Sequence, residues 1–267
     1  MPKSGTLRRA LPPLGAMMGL GLVAGMMVGH QVSLDLADAA TPATIRPALV
    51  GALSPPQAPA GSQVTPVPDD RYRFLLTQPD HLTPIRWNPC APVHYKVATD
   101  HLVPDSEVRQ VRAAFDVLGT ALGGVDFVYD GPTDLVPDAV DDSARAGTDI
   151  VFAFARAGTG RTGSDLLNGW EAGRGGFAAW GPTRADGSVL ERPTHGSVVI
   201  DAAKWKVMNR HDRTLLYLHE VGHVAGLDHP KATDQVMSSG AYDLPPRYQA
   251  GDLAGLAQLG RRAGCVR

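Results

Sequence analysis

Hydrophobic periodicity predicts the elements in the first half of the chain. Residues 92–97 alternate apolar and polar side chains, which is typical of a strand with one buried face. Apolar residues then recur at helical spacing over 108–118, directly after an Asp-Ser pair that can cap a helix. Two further segments, 125–129 and 149–154, are rich in β-branched and aromatic residues. The predicted order is therefore strand, helix, strand, strand.

The second half of the chain contains one more predicted strand and two predicted helices. Residues 197–201 contain several β-branched side chains, which predicts a buried strand. Residues 211–225 keep helical spacing on more than one face, which predicts a largely buried helix. Gly226 ends it, because glycine adopts the left-handed conformation that reverses the chain. A final helix is predicted over 250–260. The leucines expected to face the core there are Leu253, Leu256 and Leu259.

The N-terminal 70 residues lack the pattern of a packed core. Residues 1–39 have a basic start, a long uncharged apolar segment and a small-x-small motif, which together predict an export signal peptide. An uncleaved membrane anchor is the alternative, because the apolar segment is longer than a usual signal core. Residues 40–70 are rich in proline and alanine and predict an extended linker. The folded domain is predicted over 71–267.

Composition limits the class of partner. The chain has 267 residues, of which 43% are hydrophobic and 19% charged, and its formal net charge is −2. These values are typical of a soluble globular protein and give no electrostatic reason to expect nucleic acid as a partner. We expect a monomer that meets a membrane only through its N-terminal segment.

One short segment carries the candidate chemistry. His219 and His223 are four residues apart, so on a helix both imidazoles project from one face. After the turn at Gly226 the chain can bring His229 to a third corner of a tetrahedral zinc site. Glu220 lies beside the first histidine, where a carboxylate can take a proton from the attacking water. We therefore predict one catalytic zinc ion, with Glu220 as general base.

Residues 219–229 resemble the zinc signature of the metzincin metalloproteases, and Gly-Leu-Asp-His at 226–229 is most similar to the matrixin branch. Metzincins also carry a methionine in a tight turn beneath the metal, and Met237 matches it. The resemblance implies a zinc endopeptidase with an α+β fold. The expected architecture is a mixed twisted sheet of about five strands with an antiparallel edge strand, packed on two long helices. A small C-terminal subdomain with a final helix completes it.

The resemblance also suggests where a substrate and further metals would bind. Residues 156–176 are glycine-rich and polar, so a loop is expected. Matrixins bind structural zinc and calcium in this region, but here it has no histidine, and Asp165 or Glu171 would be only arbitrary choices of calcium ligand. The next residues resemble the matrixin edge strand, beside which an extended peptide can add as a further strand. The candidate substrate-binding residues are Phe177, Ala178, Ala179 and Trp180.

Cys90 and Cys265 are the only cysteines, and they lie near the two ends of the predicted domain. In an exported protein an even pair favours a disulfide. The alternative is that the Cys90 thiolate blocks the zinc, because Asn-Pro-Cys at 88–90 is loosely similar to the matrixin latency motif.

Three functions fit these patterns. The leading hypothesis is a zinc endopeptidase that acts on peptides or proteins and is extracellular, either secreted or tethered to the outer face of the cytoplasmic membrane. The second is a zinc amidase that acts on a small or cell-wall amide. The third is a non-catalytic exported binding module that zinc stabilises, but such a module has no need of the carboxylate at Glu220.

Overall fold

The computed structural model describes residues 70–158, 160, 162–182, 189–240 and 243–266. The predicted signal peptide or anchor and nearly all of the predicted linker lie outside these residues. In chain order, the elements are β1 (Arg73–Phe74), β2 (Val93–Ala98), α1 (Glu107–Ala121), β3 (Phe127–Pro132), β4 (Ile150–Ala157), β5 (Gly163–Ser164), β6 (Gly173–Trp180), β7 (Arg192–Asp201), α2 (Ala202–Val207), α3 (Arg210–Ala225), β8 (Leu227–Asp228) and α4 (Ala250–Leu259).

The main sheet has six strands in the order β3-β2-β4-β7-β6, with β5 paired to β4. Strands β3, β2, β4 and β7 run parallel to one another, whereas the edge strand β6 runs antiparallel to β7. The short strands β1 and β8 form a separate antiparallel pair. The predicted α+β fold, with a mixed sheet and an antiparallel edge strand, is therefore confirmed.

The two long helices, α1 and α3, pack on one face of the sheet and enclose most of the core. Aromatic side chains connect the layers: Tyr95 of β2 stacks on Phe115 of α1 at 4.0 Å, and Phe152 of β4 meets Tyr217 of α3 edge-on at 5.7 Å. All four side chains are fully buried. Helix α3 carries the histidine motif and also contacts the edge strand β6, so this packing holds the motif against the sheet.

Three details differ from the sequence-based expectation. Strand β6 already begins at Gly173, inside the predicted loop, because a run of glycines and one arginine shows no hydrophobic alternation. Strand β7 begins at Arg192, five residues before the predicted start, since its first half is half-buried and mixed in polarity. In α4, Leu256 and Leu259 are buried as expected, but Leu253 is 44% exposed, so its predicted core position is wrong.

Among the described residues, no helix combines the length and apolar character needed to cross a membrane.

Candidate metal centre and active site

Helix α3 and the turn after it carry the three predicted ligands. His219 and His223 lie one turn apart on α3 and are 5% and 7% exposed. Gly226 follows the last helical residue with φ of 119°, in the left-handed region, so it ends the helix as the sequence predicted. The chain then reverses through β8 and brings His229 opposite the other two imidazoles.

The three imidazoles converge on one point. The Nε2 atom of His219 lies 3.0 Å from that of His229 and 3.1 Å from that of His223, and the Nε2 atoms of His223 and His229 are 3.1 Å apart. Four ligands around a tetrahedral zinc would be separated by about 3.3 Å, given Zn–N bonds of about 2.0–2.1 Å. Within the described residues, this triad is the one group of three or more potential ligands whose donor atoms converge in this way.

Hydrogen bonds on the far side of two rings fix which nitrogen faces the centre. Nδ1 of His219 lies 2.7 Å from the Val236 carbonyl oxygen, and Nδ1 of His223 lies 2.8 Å from that of Leu227. A carbonyl oxygen only accepts, so each Nδ1 carries the hydrogen and each Nε2 presents a lone pair. Two lone pairs at 3.1 Å repel unless a cation lies between them. The donor set therefore fits a zinc ion.

Burial also keeps these histidines neutral. Burial, followed by the neighbouring charge of His229, lowers the pKa of His219 to about 3 and lowers the pKa of His223 well below its usual value. Neutral imidazole is the form that binds a metal.

Glu220 follows the first histidine and is 4% exposed. Its Oε2 atom is buried and has no hydrogen-bond partner among the described residues. Burial, and then the negative charge of Glu171, raise the pKa of Glu220 to about 8, while Arg174 and the Gly175 amide oppose the shift. A cation held by the neighbouring histidines would lower this pKa and favour the carboxylate, whose unpartnered oxygen would then accept a proton from a bound water or substrate.

Sequence reasoning missed the groups around Glu220. Glu171 is 5% exposed and accepts two hydrogen bonds from Arg174, from Nε at 2.8 Å and from Nη2 at 2.6 Å. Gly173 and Gly175 on β6 face Glu220, and a Cβ at Gly173 would lie 2.9 Å from its Cγ and Oε1 atoms. The spaced glycines in the predicted loop were the available signal, because glycine marks close approach of one backbone to another group.

Met237 packs against helix α3 at Gly222, and its role as the methionine of a metzincin turn stays a prediction. It is 1% exposed, and its sulfur occupies the space that a Cβ at Gly222 would need. Asp252, which is fully buried, accepts hydrogen bonds from the backbone N–H of Val236 at 2.9 Å and of Met237 at 3.2 Å. Because the Val236 carbonyl in turn holds His219, Asp252 supports a ligand without touching it.

Strand β6 passes beside this centre, but its side chains differ in access. Phe177 is 5% exposed and meets Trp87 edge-on at 6.4 Å, whereas Ala178 is only half-buried. Ala179 is half-buried, whereas Trp180 is 39% exposed. The substrate-binding role of residues 177–180 stays a prediction, and such contacts would come mainly from the backbone and from Trp180.

The predicted disulfide between Cys90 and Cys265 is present, with the two Cα atoms 5.4 Å apart. A Cys90 thiolate is thus not available to block the histidines. Of the two residues weighed as calcium ligands, Glu171 pairs with Arg174 and Asn168, and Asp165 is exposed on the surface.

The other histidines in the described part of the chain lie outside the triad. His81, His101 and His211 are exposed. His94 and His195 line a surface depression of about 400 Å³ that no triad residue lines.

Comparison with known proteins adds only distant likeness in fold. No protein-family model matches the sequence. No curated protein matches it either. One similar solved structure is metalloproteinase-II from Bacteroides fragilis, with a TM-score of 0.36 and 12% identity over 66% of this chain and 57% of that chain. Another is archaemetzincin from Methanopyrus kandleri, with a TM-score of 0.34 and 17% identity over 61% of this chain and 93% of that chain.

The chain thus spans little more than half the length of the Bacteroides protein. Membership of the matrixin branch stays a prediction, and the function is argued from the site itself.

Proposed function

We propose that this protein is a zinc-dependent endopeptidase. The observation that carries the proposal is the convergence of three Nε2 atoms, 3.0–3.1 Å apart. Directly after the first of these histidines, Glu220 holds a buried carboxylate oxygen that has no hydrogen-bond partner among the described residues. This arrangement supplies a metal site with room for a fourth ligand and a general base beside it.

The sheet edge beside the centre suits an extended peptide. In the described part of the chain, β6 pairs with β7 on one side and has no strand on the other. A substrate added along the open side would form backbone hydrogen bonds with β6, which hold its scissile bond in place. Gly173 and Gly175 keep this strand in contact with Glu220, so the bound peptide would run past the carboxylate.

The residues of the site then have distinct roles. Zinc held by His219, His223 and His229 would polarise the scissile carbonyl and make water acidic enough to attack near neutral pH. Glu220 takes a proton from the attacking water and passes it to the leaving nitrogen. The walls of buried side chains strengthen these electrostatic effects, because little water screens them.

An extracellular location completes the proposal. A disulfide persists in oxidising compartments, and the Cys90–Cys265 bond together with the export signal predicted over 1–39 supports secretion or surface tethering.

Substitution of Glu220 by Gln tests the proposed catalytic role. Glutamine is nearly isosteric but cannot accept the proton, so we expect peptide cleavage to fall at least ~100-fold while one zinc ion per chain is still bound. The rate of cleavage of a peptide library and the zinc content of the full-length chain are the measurements. Asp105→Asn, a change at an exposed acid, is the matched control and should keep full activity.

Full activity of Glu220→Gln would contradict the catalytic role of the carboxylate. Absence of zinc from the wild-type chain would contradict the metal centre. Hydrolysis of small amides without any cleavage of peptides would favour the amidase alternative.

Removal of the metal provides a second test. A chelator should abolish cleavage, and added zinc should restore it, because the proposed mechanism uses the metal to polarise the carbonyl and to acidify the water. Activity that survives complete removal of zinc, confirmed by elemental analysis, would contradict the proposal.

A further inference from the structure

The loop that carries the third histidine is held by the first strand of the described chain. Strands β1 and β8 pair in antiparallel register, with Arg73 opposite Asp228. The Leu75 amide donates to the Gly226 carbonyl at 2.8 Å, before His229 in the chain. The Ala232 amide donates to the Asp70 carbonyl at 3.0 Å, after it. Residues 70–75 therefore bind the ligand loop on both sides of His229.

One side chain connects the strand to the ligand. Asp228 accepts a hydrogen bond from the His229 backbone N–H at Oδ1, 2.8 Å away. Its other oxygen, Oδ2, lies 3.2 Å from Nε of Arg73. The Asp228 side chain is only 13% exposed, although that of Arg73 is 58% exposed.

We propose that Arg73 is a positioning residue of the metal centre, which acts through Asp228 on His229. The inference rests on the proposed zinc site. It adds β1 and residues 70–72 to the parts of the chain that set the affinity for zinc. Arg73 touches neither the metal nor the substrate.

The need for this support follows from the way the three ligands are mounted. His219 and His223 lie on a buried helix, and each ring is fixed by a carbonyl hydrogen bond. His229 instead follows a two-residue strand and is half-buried, so its backbone depends on neighbouring segments. Groups that orient metal ligands commonly change metal affinity 10–100-fold when they are removed.

An exposed ion pair usually contributes little to stability. The pair of Arg73 and Asp228 differs because the carboxylate is largely buried and already holds the ligand backbone. Loss of the guanidinium would remove the ion pair at Oδ2 and so weaken the orientation of Asp228 toward the His229 amide. The expected consequence is weaker zinc binding rather than a general loss of folding.

The test compares Arg73→Ala with a matched control in the full-length chain. Lys231 and Asp70 join the same two segments by an exposed pair at 3.7 Å, with side chains 85% and 80% exposed. We expect Arg73→Ala to lose zinc to a chelator roughly 10-fold faster than the wild type, and Lys231→Ala to match the wild type. Arg73→Lys keeps the charge but not the guanidinium, and should fall between them.

A double-mutant cycle tests whether Arg73 acts on His229 through Asp228. In an Asp228→Ala background, Arg73→Ala should have no further effect on the dissociation constant for zinc, because its partner is gone. Independent, additive effects of the two changes would overturn the inference. An equal fall in Tm of the zinc-free and zinc-loaded Arg73→Ala protein, with unchanged zinc affinity, would also overturn it and assign Arg73 a purely structural role.

Failure of the wild-type chain to bind zinc would overturn the proposed function itself. That result is distinct from the one in which the wild type binds zinc and Arg73→Ala binds it equally well.

Discussion

Glycine residues set the distance between the edge strand and the metal helix. A Cβ at Gly175 would overlap the backbone carbonyl of Glu220, and one at Gly173 would press on its side chain. A Cβ at Gly222 would overlap the sulfur of Met237. The absence of a side chain at these three glycines therefore lets β6 and Met237 approach helix α3 closely.

Two neighbouring glycines on β6 allow a matched test of this point. Gly175→Ala should lower the free energy of unfolding by about 1–3 kcal/mol, because the backbone of Glu220 cannot rotate aside as a side chain can. It should also reduce cleavage by displacing the carboxylate. Gly176→Ala is the control, since its Cβ would meet only Val140 at an ordinary 3.7 Å. Urea unfolding and cleavage rates are the measurements, and equal behaviour of the two variants would contradict the prediction.

For individual residues, the sequence was enough to predict the three histidine ligands but not the groups that surround Glu220. The spacing of the three histidines depends only on helix geometry and one turn, so a short segment was enough to predict that they converge. Glu171 and Arg174 could not be placed near Glu220, because their position depends on how β6 crosses α3 some 45 residues later in the chain. Long-range packing of this kind leaves no local pattern.

The final helix and the methionine turn support each other. Gln235 of the turn accepts hydrogen bonds from the amides of Gly251 at 2.7 Å and Asp252 at 3.1 Å, at the start of α4. Asp252 of the helix returns the contact by accepting from the amides of Val236 and Met237. Two elements that are short by themselves are thus fixed by a closed set of buried hydrogen bonds.

Asp252→Ala should therefore act on both elements. It leaves the buried amides of Val236 and Met237 without an acceptor, and each such group costs about 1–3 kcal/mol. We expect the free energy of unfolding to fall by roughly 2–6 kcal/mol, with weaker zinc binding because Val236 holds His219. Chemical denaturation and zinc titration check both effects. Leu253→Ala in the same helix is the control, and similar losses in both variants would contradict the special role of Asp252.

Elements with strong periodicity were predicted well from the sequence. Strand β2 and helix α1 each bury mainly one face, so their apolar side chains alternate or recur as expected. Strand β4 is buried on both faces, and helix α3 is buried on every side from Leu215 onward, in line with its helical spacing on more than one face. The start of β6 was missed because its glycines pack by backbone contact, which hydrophobicity does not record. Leu253 was misplaced because α4 buries a narrower face than its leucine spacing indicates.

For the whole molecule, the two ends of the described domain are joined next to the metal helix. Cys90 and Cys265 are bonded across 175 residues. Beside the bond, Arg86 donates to the carbonyls of Gly264 at 2.8 Å and Ala263 at 3.0 Å. Trp87, one residue further on, donates from Nε1 to the Val224 carbonyl of α3 at 2.8 Å. The paired cysteines indicated the link, but the contact of the nearby Trp87 with the end of α3 depends on the fold.

Replacement of both cysteines by alanine should destabilise the protein without disabling the site. The disulfide mainly restricts the unfolded chain, and closure of so long a loop contributes about 3–5 kcal/mol. The hydrogen bonds of Arg86 and Trp87 remain, so we expect zinc affinity and cleavage at 25 °C to change little while the urea midpoint falls. The wild type in reductant should show the same fall, and the Cys90→Ala/Cys265→Ala variant should be insensitive to reductant. An unchanged midpoint, or loss of zinc from a variant that is still folded, would mean that the bond acts on the native site rather than on the unfolded chain.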